Sequence, residues 1–523
     1  MSKYVEGFNT NQFSFLPVSF DEMVEADNPV RGICAIVDSM DETKLQFVHS
    51  QTKRTGRPPY NPICMFKIYL YCYYNKIRSS RCIEKECKRN IELMWLTGGL
   101  APDHKTIADF RKNNKRAIES AHTEFIHLCT ELDLVGKQLI AIDGTKIKAN
   151  NSRKNNVTIS KLNKMIEHHD ENIHEYLKQL SQNDIAESTD AIKSKLKKAR
   201  EKKLECESLK AELEAEGVRE KSLVDPDSHQ MGVSNKGTDI AYNVQNAVDE
   251  KEHIIVTTDV VTSPADQTQL YAMAEKTVDE LEITNGESVT ILADKGYWRN
   301  DDIVKCDNDD RINAIVAVPK EQGKPGFRKS DFIYNKETDE YICPMGNILK
   351  RWKGKTPNYT NPTACKNCPN KDKCTKSSRG RVIMRDEHEE QIENSKKCYN
   401  DNYELYKLRQ QIVEHPFGTM KRTLGFTYFL TRRLENVKTE NFLHVITYNL
   451  KRVLNILRVP ELVAQINQIK ANNEDGESLC ILLFLQKYTF MGIKYDKCIV
   501  LSLRNYRVFT QSAVPNKINN LFF

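Results

Sequence analysis

This sequence of 523 residues has no long hydrophobic run. Its longest apolar stretch, "LCILLFL" at 479–485, is far shorter than the roughly 20 residues that a membrane-spanning helix needs. The amino terminus, "MSKYVEGFNTNQF", has no apolar segment of the kind found in signal peptides. These absences predict a protein that neither spans a membrane nor is secreted, and that works in the cytoplasm.

A large excess of one charge is also missing. The 78 Lys and Arg residues against 72 Asp and Glu give a net charge of +6, which is compatible with nucleic-acid binding but does not require it. The fifteen cysteines are an odd number, and most lie in apolar runs, which indicates a reducing compartment. The length exceeds one ordinary core, so about two to four structural units are expected.

Helical periodicity begins after "GRPPYNP" and continues to about residue 130. Many cations of this region cluster on short predicted helices, as in helix-turn-helix DNA-binding modules. The pattern therefore predicts a helical DNA-binding region, and a solvated helical bundle is the alternative. The cations concerned are Lys76, Arg78, Arg81, Lys85, Lys88, Arg89, Arg111, Lys112, Lys115 and Arg116.

The period then changes to that of strands. "QLIAIDGTKI" (138–147) is predicted to be a buried strand that ends at Asp143 and a turn. "DIAYNVQNAVD" and "EHIIVTTDVV" predict an antiparallel pair, and "SVTILADKGYW" and "INAIVAVP" predict two further strands. A helix over 265–282, with Ser263 or Asp266 as its N-cap, lies between them. This order predicts an α/β layer around a mixed sheet.

Two segments interrupt this pattern. Apolar residues at steps of three and four predict a helical hairpin, or a short coiled coil, inserted over about 150–222. A polar insertion over about 320–395 holds a cluster of cysteines. Residues 456–523 form a carboxyl-terminal extension with no readable motif.

Asp143 and Asp294 each follow an apolar run, and Glu414 lies on a later predicted helix. Ionised carboxylates beside buried strands are costly unless a partner neutralises them, so a shared counter-ion is expected. Mg²⁺ takes oxygen ligands and keeps several waters, so two or three carboxylates suffice, and Mn²⁺ should substitute. Such a site suits phosphodiester chemistry. The competing carboxylates are Asp225, Asp227 and Asp259, of which Asp259 is predicted to face solvent.

The stretch "LRQQIVEHPFGTMKR" (408–422) places Glu414 between cations and next to a helix-breaking proline. A break at Pro416–Gly418 would turn Lys421 and Arg422 toward a phosphate, and Arg409 could bind a phosphate through two hydrogen bonds. The alternative is a solvated helix end.

Aromatic residues follow Asp294 directly. Tyr297 and Trp298 are apolar enough to belong to the core, or one of them could stack on an unpaired base.

Four cysteines stand apart from the others: Cys343 in "YICPMGN", and Cys365, Cys368 and Cys374 in "CKNCPNKDKC". This spacing in a reducing compartment suits a tetrahedral Zn²⁺ site. The surrounding Pro, Gly, Asn and Lys residues predict no apolar core, so the metal would be needed for folding. The alternative is a flexible loop with incidental thiols or a redox pair.

Four stretches, in order, resemble DDE transposases of bacterial insertion sequences: "YNPICMFKIYLYCYYNKIRSSRCIEKECKRNIELMWLTGG", "AIDGTKIKANNSRKN", "LADKGYW" and "YKLRQQIVEHPFGTMKR". The resemblance implies an RNase H-like catalytic domain at 137–455 after a helical region at 1–130. It implies Asp143, Asp294 and Glu414 as the metal-binding triad, and Tyr406, Arg409, Glu414 and Lys421 as the Y–R–E–K pattern. Four residues separate Arg409 from Glu414, where the family has three.

The resemblance further implies Mg²⁺-dependent cleavage at the ends of the element and strand transfer into target DNA. The expected partners are double-stranded DNA, namely the terminal inverted repeats and the target, and a second copy of the chain. The location would be the bacterial nucleoid. Two alternatives are open: an RNase H-like nuclease without strand transfer, and a non-catalytic DNA-binding protein derived from a transposase. The second would be expected to lack a carboxylate, and all three are present.

Overall fold

The computed structural model describes residues 19–48, 58–182, 186–217, 220–233, 237–284, 286–319, 326–352 and 357–472. The described residues before 132 are helical. Several of these helices start where the sequence provides a cap: the side chains of Asn28, Asn61, Asn90 and Asp103 accept the first free backbone N–H groups. The helices are α1 (Pro29–Ser39), α2 (Glu42–Leu45), α3 (Pro62–Tyr74), α4 (Ser80–Cys87), α5 (Ile91–Thr97), α6 (His104–Asn113) and α7 (Lys115–Glu131).

The first strand leads into a long excursion. β1 (Leu139–Lys148) is followed by β2 (Asn156–Thr158), α8 (Ile159–Gln182), α9 (Ala186–Glu216) and β3 (Glu220–Ser222). β2 and β3 pair antiparallel at the base of the two helices. Leu162 of α8 and Cys206 and Leu213 of α9 form a small apolar cluster there. The two long helices thus pack on each other and return the chain to the sheet.

The central sheet is mixed, as the sequence predicts. Its remaining elements are β4 (His229–Val233), β5 (Gly237–Asp249), β6 (Ile255–Val261), α10 (Leu270–Glu280), β7 (Val289–Ala293), α11 (Asn300–Asp307) and β8 (Ile312–Val316). β4 and β6 both pair with β5, and the order continues β5–β1–β7–β8. β5 is antiparallel to β1 and β6, whereas β1, β7 and β8 are parallel. The predicted antiparallel pair is therefore confirmed.

Two predicted boundaries are wrong. β1 does not end at Asp143 but runs on to Lys148, because its second half stays paired with β5 after its pairing with β7 has ended. α10 starts at Leu270 after Gln269, and neither Ser263 nor Asp266 caps it. The Asp266 carboxylate instead accepts hydrogen bonds from Asn243 and Gln245 of β5.

The cysteine-containing segment contains a sheet of its own. β9 (Ile333–Asn335), β10 (Glu340–Ile342), β11 (Ile348–Trp352), β12 (Asn358–Thr360) and β13 (Val382–Met384) form an antiparallel sheet in the order β13–β12–β11–β10–β9, with α12 (Pro362–Lys366) and α13 (Lys371–Cys374) before β13. The prediction that this segment has no apolar core is wrong. Phe332, Tyr341, Leu349, Tyr359 and Ile383 form one, because short strands place a large side chain on the same face.

Three helices follow β13: α14 (Glu389–Asp401), α15 (Tyr403–Gly418) and α16 (Leu434–Ile456). Residues 459–472 are also helical. The predicted break at Pro416–Gly418 does not occur. α15 runs through Pro416 and continues as a π-helical segment, Thr419–Thr423. Pro416 is buried, as are Ile412, Val413 and Met420 around it, so packing offsets the hydrogen bond that a proline cannot donate.

The main core lies between the sheet and α15 and α16. It includes Tyr242 and Val248 of β5, Leu292 of β7, Val413 of α15 and Tyr448 of α16. These elements belong to a compact unit of residues 1–463, separate from 464–523. Most of the predicted carboxyl-terminal extension, residues 473–523, lies outside the described residues. Among the helices that the structure describes, none is long and apolar enough to cross a bilayer.

Candidate active site

Asp143 lies on β1, and Asp294 lies beside it just after the neighbouring parallel strand β7. Ile142 of β1 is paired with Ala293 of β7, and each aspartate is the next residue along the chain. Asp294 directly follows the end of β7, where its Oδ1 accepts the Gly296 N–H at 2.6 Å. The strand register therefore brings together two of the three predicted carboxylates.

Arg409 faces this pair from α15. Its Nη1 lies 3.5 Å from Oδ2 of Asp143, and both side chains are mostly shielded from solvent. Burial raises the pKa of Asp143, whereas the Arg409 guanidinium and the Gly144 N–H oppose that rise. The negative charges of Asp294 and Asp266 raise the pKa of Asp143 further. Burial and the neighbouring carboxylates thus act on the pKa of Asp143 against the Arg409 guanidinium and the Gly144 N–H.

A polar network that the sequence did not predict lies next to Asp143 along β1, where Asn243 and Gln245 of β5 are paired with Lys146 and Gly144. Oδ1 of Asp266 accepts hydrogen bonds from Asn243 Nδ2 at 2.7 Å, Gln245 Nε2 at 2.8 Å and Lys146 Nζ at 3.2 Å. The buried Tyr297 hydroxyl donates to Oε1 of Gln245. Tyr297 therefore belongs to the core, and its hydroxyl helps to orient Gln245.

Gly144 allows this network to approach β1. A Cβ at this position would lie 2.5 Å from Gln245 Nε2 and 2.9 Å from Asp266 Oδ1, too close for either. Glycine inside a strand often marks such a close approach. Together with the polar residues of the otherwise apolar run "AYNVQNAV", it was a usable signal for the network.

The other residues predicted to contact DNA differ in how far they are buried. The Lys421 ammonium donates to Oγ1 of Thr145, and burial lowers the pKa of Lys421. Tyr406 is half-buried, with its ring centroid 5.9 Å from Cζ of Arg409. Trp298 is half-buried four residues after Asp294, and Arg422 is exposed. Lys421 thus lies close to the aspartate pair, next to Thr145, and Tyr406 lies close to Arg409.

Glu414 is not joined to the aspartates. It lies on the exposed side of α15, where its Oε1 accepts a hydrogen bond from Gln410 Nε2 at 2.6 Å. In the part of the chain that the structure describes, no three His, Cys, Asp or Glu side chains are arranged to hold one metal ion. The structure therefore brings together a pair of carboxylates with Arg409, and the role of Glu414 stays a prediction.

The competing aspartates have structural partners. Asp225 accepts from the Tyr242 hydroxyl at 2.9 Å and the Arg433 N–H at 2.8 Å, and Asp227 accepts from the Leu434 N–H at 2.8 Å. The prediction that Asp259 faces solvent is wrong, because its carboxylate lies between Lys276 and Lys438. The three residues hold segments of the chain together.

The four clustered cysteines line one cavity, together with Phe327 and Arg381 among others. Burial raises the pKa of Cys374, and the three other thiols raise it further, so the sulfur atoms are near one another. The Asn347 N–H donates to Sγ of Cys343 at 3.4 Å. Gly380, at φ +91°, packs so closely that a Cβ there would lie 2.6 Å from the Cys365 Cβ. The donor set fits Zn²⁺, although the thiols are not in ligand geometry.

The fold and this site define a mixed α/β protein with paired carboxylates and adjacent cations on a central sheet. Two family models match the sequence: "Transposase domain (DUF772)" over residues 18–113 and "Transposase DDE domain" over residues 342–454. These matches confirm the resemblance to DDE transposases of insertion-sequence type that the sequence motifs indicate.

No curated protein matches the sequence. A solved structure, the cryo-EM structure of the piggyBac transposase synaptic complex with hairpin DNA, aligns with 94% of this chain and 88% of that chain. The identity is 8% and the TM-score 0.30, so this likeness carries no argument about the chain.

Proposed function

We propose that this transposase cleaves DNA at the ends of an insertion sequence and joins the freed ends to target DNA, in a reaction that depends on Mg²⁺. The observation that carries the proposal is that Asp143 and Asp294 come at the same register of β1 and β7, with Arg409 beside Asp143. The central sheet, in which β1 is antiparallel to β5 and parallel to β7, is the kind of mixed sheet that the proposed RNase H-like core would have.

The residues present fit a magnesium ion. Two carboxylates are enough for Mg²⁺, which keeps several waters and also binds substrate phosphates. Asp143 and Asp294 would hold it, with Glu414 as the predicted third ligand. When bound, the ion would activate the attacking oxygen and stabilise the leaving one. Mn²⁺ would substitute for Mg²⁺, since it takes the same oxygen ligands.

The surrounding side chains would then act on the DNA backbone. Arg409 lies beside Asp143, and Lys421 lies beside Thr145 of the same strand. From these positions both cations would neutralise the phosphate being cut. Tyr406 and Trp298 would pack against the DNA at this edge, and Arg422 would contact a neighbouring phosphate. Attack by water and then by the DNA 3′-hydroxyl requires no covalent protein intermediate.

The helical region would bind the terminal inverted repeats. A second copy of the chain would be needed, because two element ends must be held together for strand transfer, and the α8–α9 hairpin is a candidate contact. The bacterial nucleoid is the expected location.

We expect purified protein with Mg²⁺ to cut labelled duplex DNA carrying an element end at defined positions and to form joined products, which gel analysis resolves. Cutting without joined products would support the nuclease alternative. Binding without any cutting would support the non-catalytic DNA-binding alternative, which the separation of Glu414 from the aspartates favours.

The second proposed metal is a structural Zn²⁺ held by Cys343, Cys365, Cys368 and Cys374. Because β9–β13 already have an apolar core, the ion would fix the cavity end of that sheet and not fold the whole segment. The thiols would have to move toward one another to complete the ligand set.

We expect the purified full chain to contain about one zinc ion, measured by elemental analysis, because four thiolates form a closed tetrahedral site. Cys365→Ser with Cys368→Ser should lose the ion and lower the unfolding temperature. Cys82→Ser, at an exposed position on α4, is the matched control and should keep the ion. Zinc-free wild-type protein that binds no added zinc would contradict the proposal.

A further inference from the structure

A second basic surface lies away from the aspartate pair. It is an open cleft between α6, the start of α16 and the segment that follows β1, with a volume of about 690 Å³, in the range of ligand-binding sites. Four cations line it, and none of its lining residues is a carboxylate. The polar lining residues include Arg111, Lys112, Asn150, Arg432, Arg433 and Asn436.

We propose that this cleft binds the sugar–phosphate backbone of duplex DNA next to the cleavage site. The inference rests on the proposed function, since it assigns the surface along which the same DNA would run. The ligand class follows from the lining: guanidinium and ammonium groups with neutral amides are the groups that contact DNA phosphates.

Two of the four cations of the cleft donate hydrogen bonds to uncharged groups of the protein. Nε of Arg432 donates to the Asn150 carbonyl at 3.1 Å, and Nη1 of Arg111 donates to the Tyr73 hydroxyl at 3.0 Å. Both partners are uncharged. Among the ion pairs of the described residues, none includes Arg111, Lys112, Arg432 or Arg433. Glu440 and Asp225 act on Arg111 and Arg432 only from beyond ion-pair distance. Because Lys112, Arg432 and Arg433 are exposed, a ligand can reach their positive charge.

Three carboxylates hold the backbone that carries the arginines. Asp225 accepts the Arg433 N–H, Asp227 accepts the Leu434 N–H, and Glu440 accepts the Thr431 N–H at 2.9 Å. Arg433 has φ +69°, a left-handed conformation that a non-glycine residue adopts only when its surroundings hold it. Because these backbone N–H groups already donate to carboxylates, a ligand would bind the arginine side chains and not the backbone, which is held in place.

One strand connects the cleft with the candidate active site. β1 carries Asp143 and ends at Lys148, whose carbonyl accepts the Phe429 N–H at 2.8 Å. Asn150 is seven residues beyond Asp143, which spans about 23 Å at roughly 3.3 Å per residue. One turn of B-DNA is about 34 Å long. A single duplex could therefore lie across both sites.

The test measures the salt dependence of DNA binding by the full chain. The fluorescence anisotropy of a labelled duplex of about 30 base pairs gives the affinity at several KCl concentrations. Each phosphate contact contributes about 0.9 to the slope of log affinity against log salt. We expect Arg432→Gln with Arg433→Gln to lower the slope by about 2, without lowering the unfolding temperature.

The matched control is Lys195→Gln with Lys197→Gln, two exposed residues of α9, which removes the same charge and should leave the slope unchanged. An unchanged slope in the cleft variant, or an equal fall in both variants, would overturn the proposal. If the wild-type chain binds no duplex at any salt concentration, the proposed function itself fails.

Discussion

Asp143→Asn is expected to reduce DNA cleavage by at least about 10³-fold, equivalent to about 4 kcal/mol of activation free energy. The substitution keeps the shape of the side chain but removes one of the two carboxylates that the strand register places together. A divalent ion would then have a single aspartate in place of a pair. DNA binding should be retained or strengthened, because a negative charge next to Arg409 is lost.

Three measurements check this result together. Gel analysis gives the cleavage rate, anisotropy gives the DNA affinity, and thermal unfolding with and without Mg²⁺ shows whether the ion still stabilises the protein. Asp133→Asn is the control, because it removes the same charge from a side chain that is 90% exposed. If Asp143→Asn cleaved DNA at the wild-type rate, the aspartate pair would have no part in the reaction.

Glu414→Gln then tests the third predicted ligand. A loss as large as that of Asp143→Asn would mean that α15 turns or shifts when DNA binds, because Glu414 otherwise faces away from the aspartates. Retained cleavage would leave the two aspartates as the protein ligands. Either result separates the role of Glu414 from that of Asp143.

The exposed position of Glu414 on α15 could have been predicted from its distance along the sequence from Arg409. Residues of an α-helix are rotated by 100° per residue, since 3.6 residues make a turn. Arg409 and Glu414 are five residues apart, so their side chains point about 140° away from each other. With the usual three residues between them, they would lie on nearly the same side. The departure from the family pattern therefore already indicated that only one of them can face β1.

The strands were predictable where their pattern is long and apolar. β7 and Asp294 at its end follow from "SVTILAD", and β8 follows from "INAIV". The end of β1 was not predictable, because it depends on pairing with β5, about 100 residues later in the chain. The role of Asp266 was missed for the same reason: its partners Asn243 and Gln245 lie on another strand.

The small sheet β9–β13 shows a different limit. Four of its five strands have only three residues, so an alternation of apolar and polar side chains is too short to recognise. Its core becomes visible only when Tyr341, Leu349 and Tyr359 come together from separate strands. The cysteines were easy to identify from their spacing, but whether the segment needs a metal to fold was not.

Glu440→Ala is expected to destabilise the protein by about 3–5 kcal/mol, the usual cost of breaking a buried ion pair. Glu440 is fully buried and lies 2.9 Å from the Arg78 guanidinium, which is itself only 8% exposed. Its carboxylate also accepts hydrogen bonds from the backbone N–H groups of Leu430 and Thr431 and from the Thr431 hydroxyl. Alanine would leave two backbone donors without their acceptor and the buried Arg78 cation without a carboxylate, with only the carbonyl oxygens of Gly425 and Tyr428 as its partners.

The location of this ion pair sharpens the test. Arg78 precedes α4, whereas Glu440 lies on α16, so the pair ties the helical region to the segment that carries the arginines of the cleft. Urea unfolding of the full chain should show the loss, and Glu440→Gln should recover part of it, because an amide oxygen still accepts the backbone hydrogen bonds. Glu435→Ala, at an exposed position on the same helix, should change stability by less than about 0.5 kcal/mol. If Glu440→Ala were as stable as Glu435→Ala, the segment before α16 would have to be held by its bonds to Asp225 and Asp227 alone.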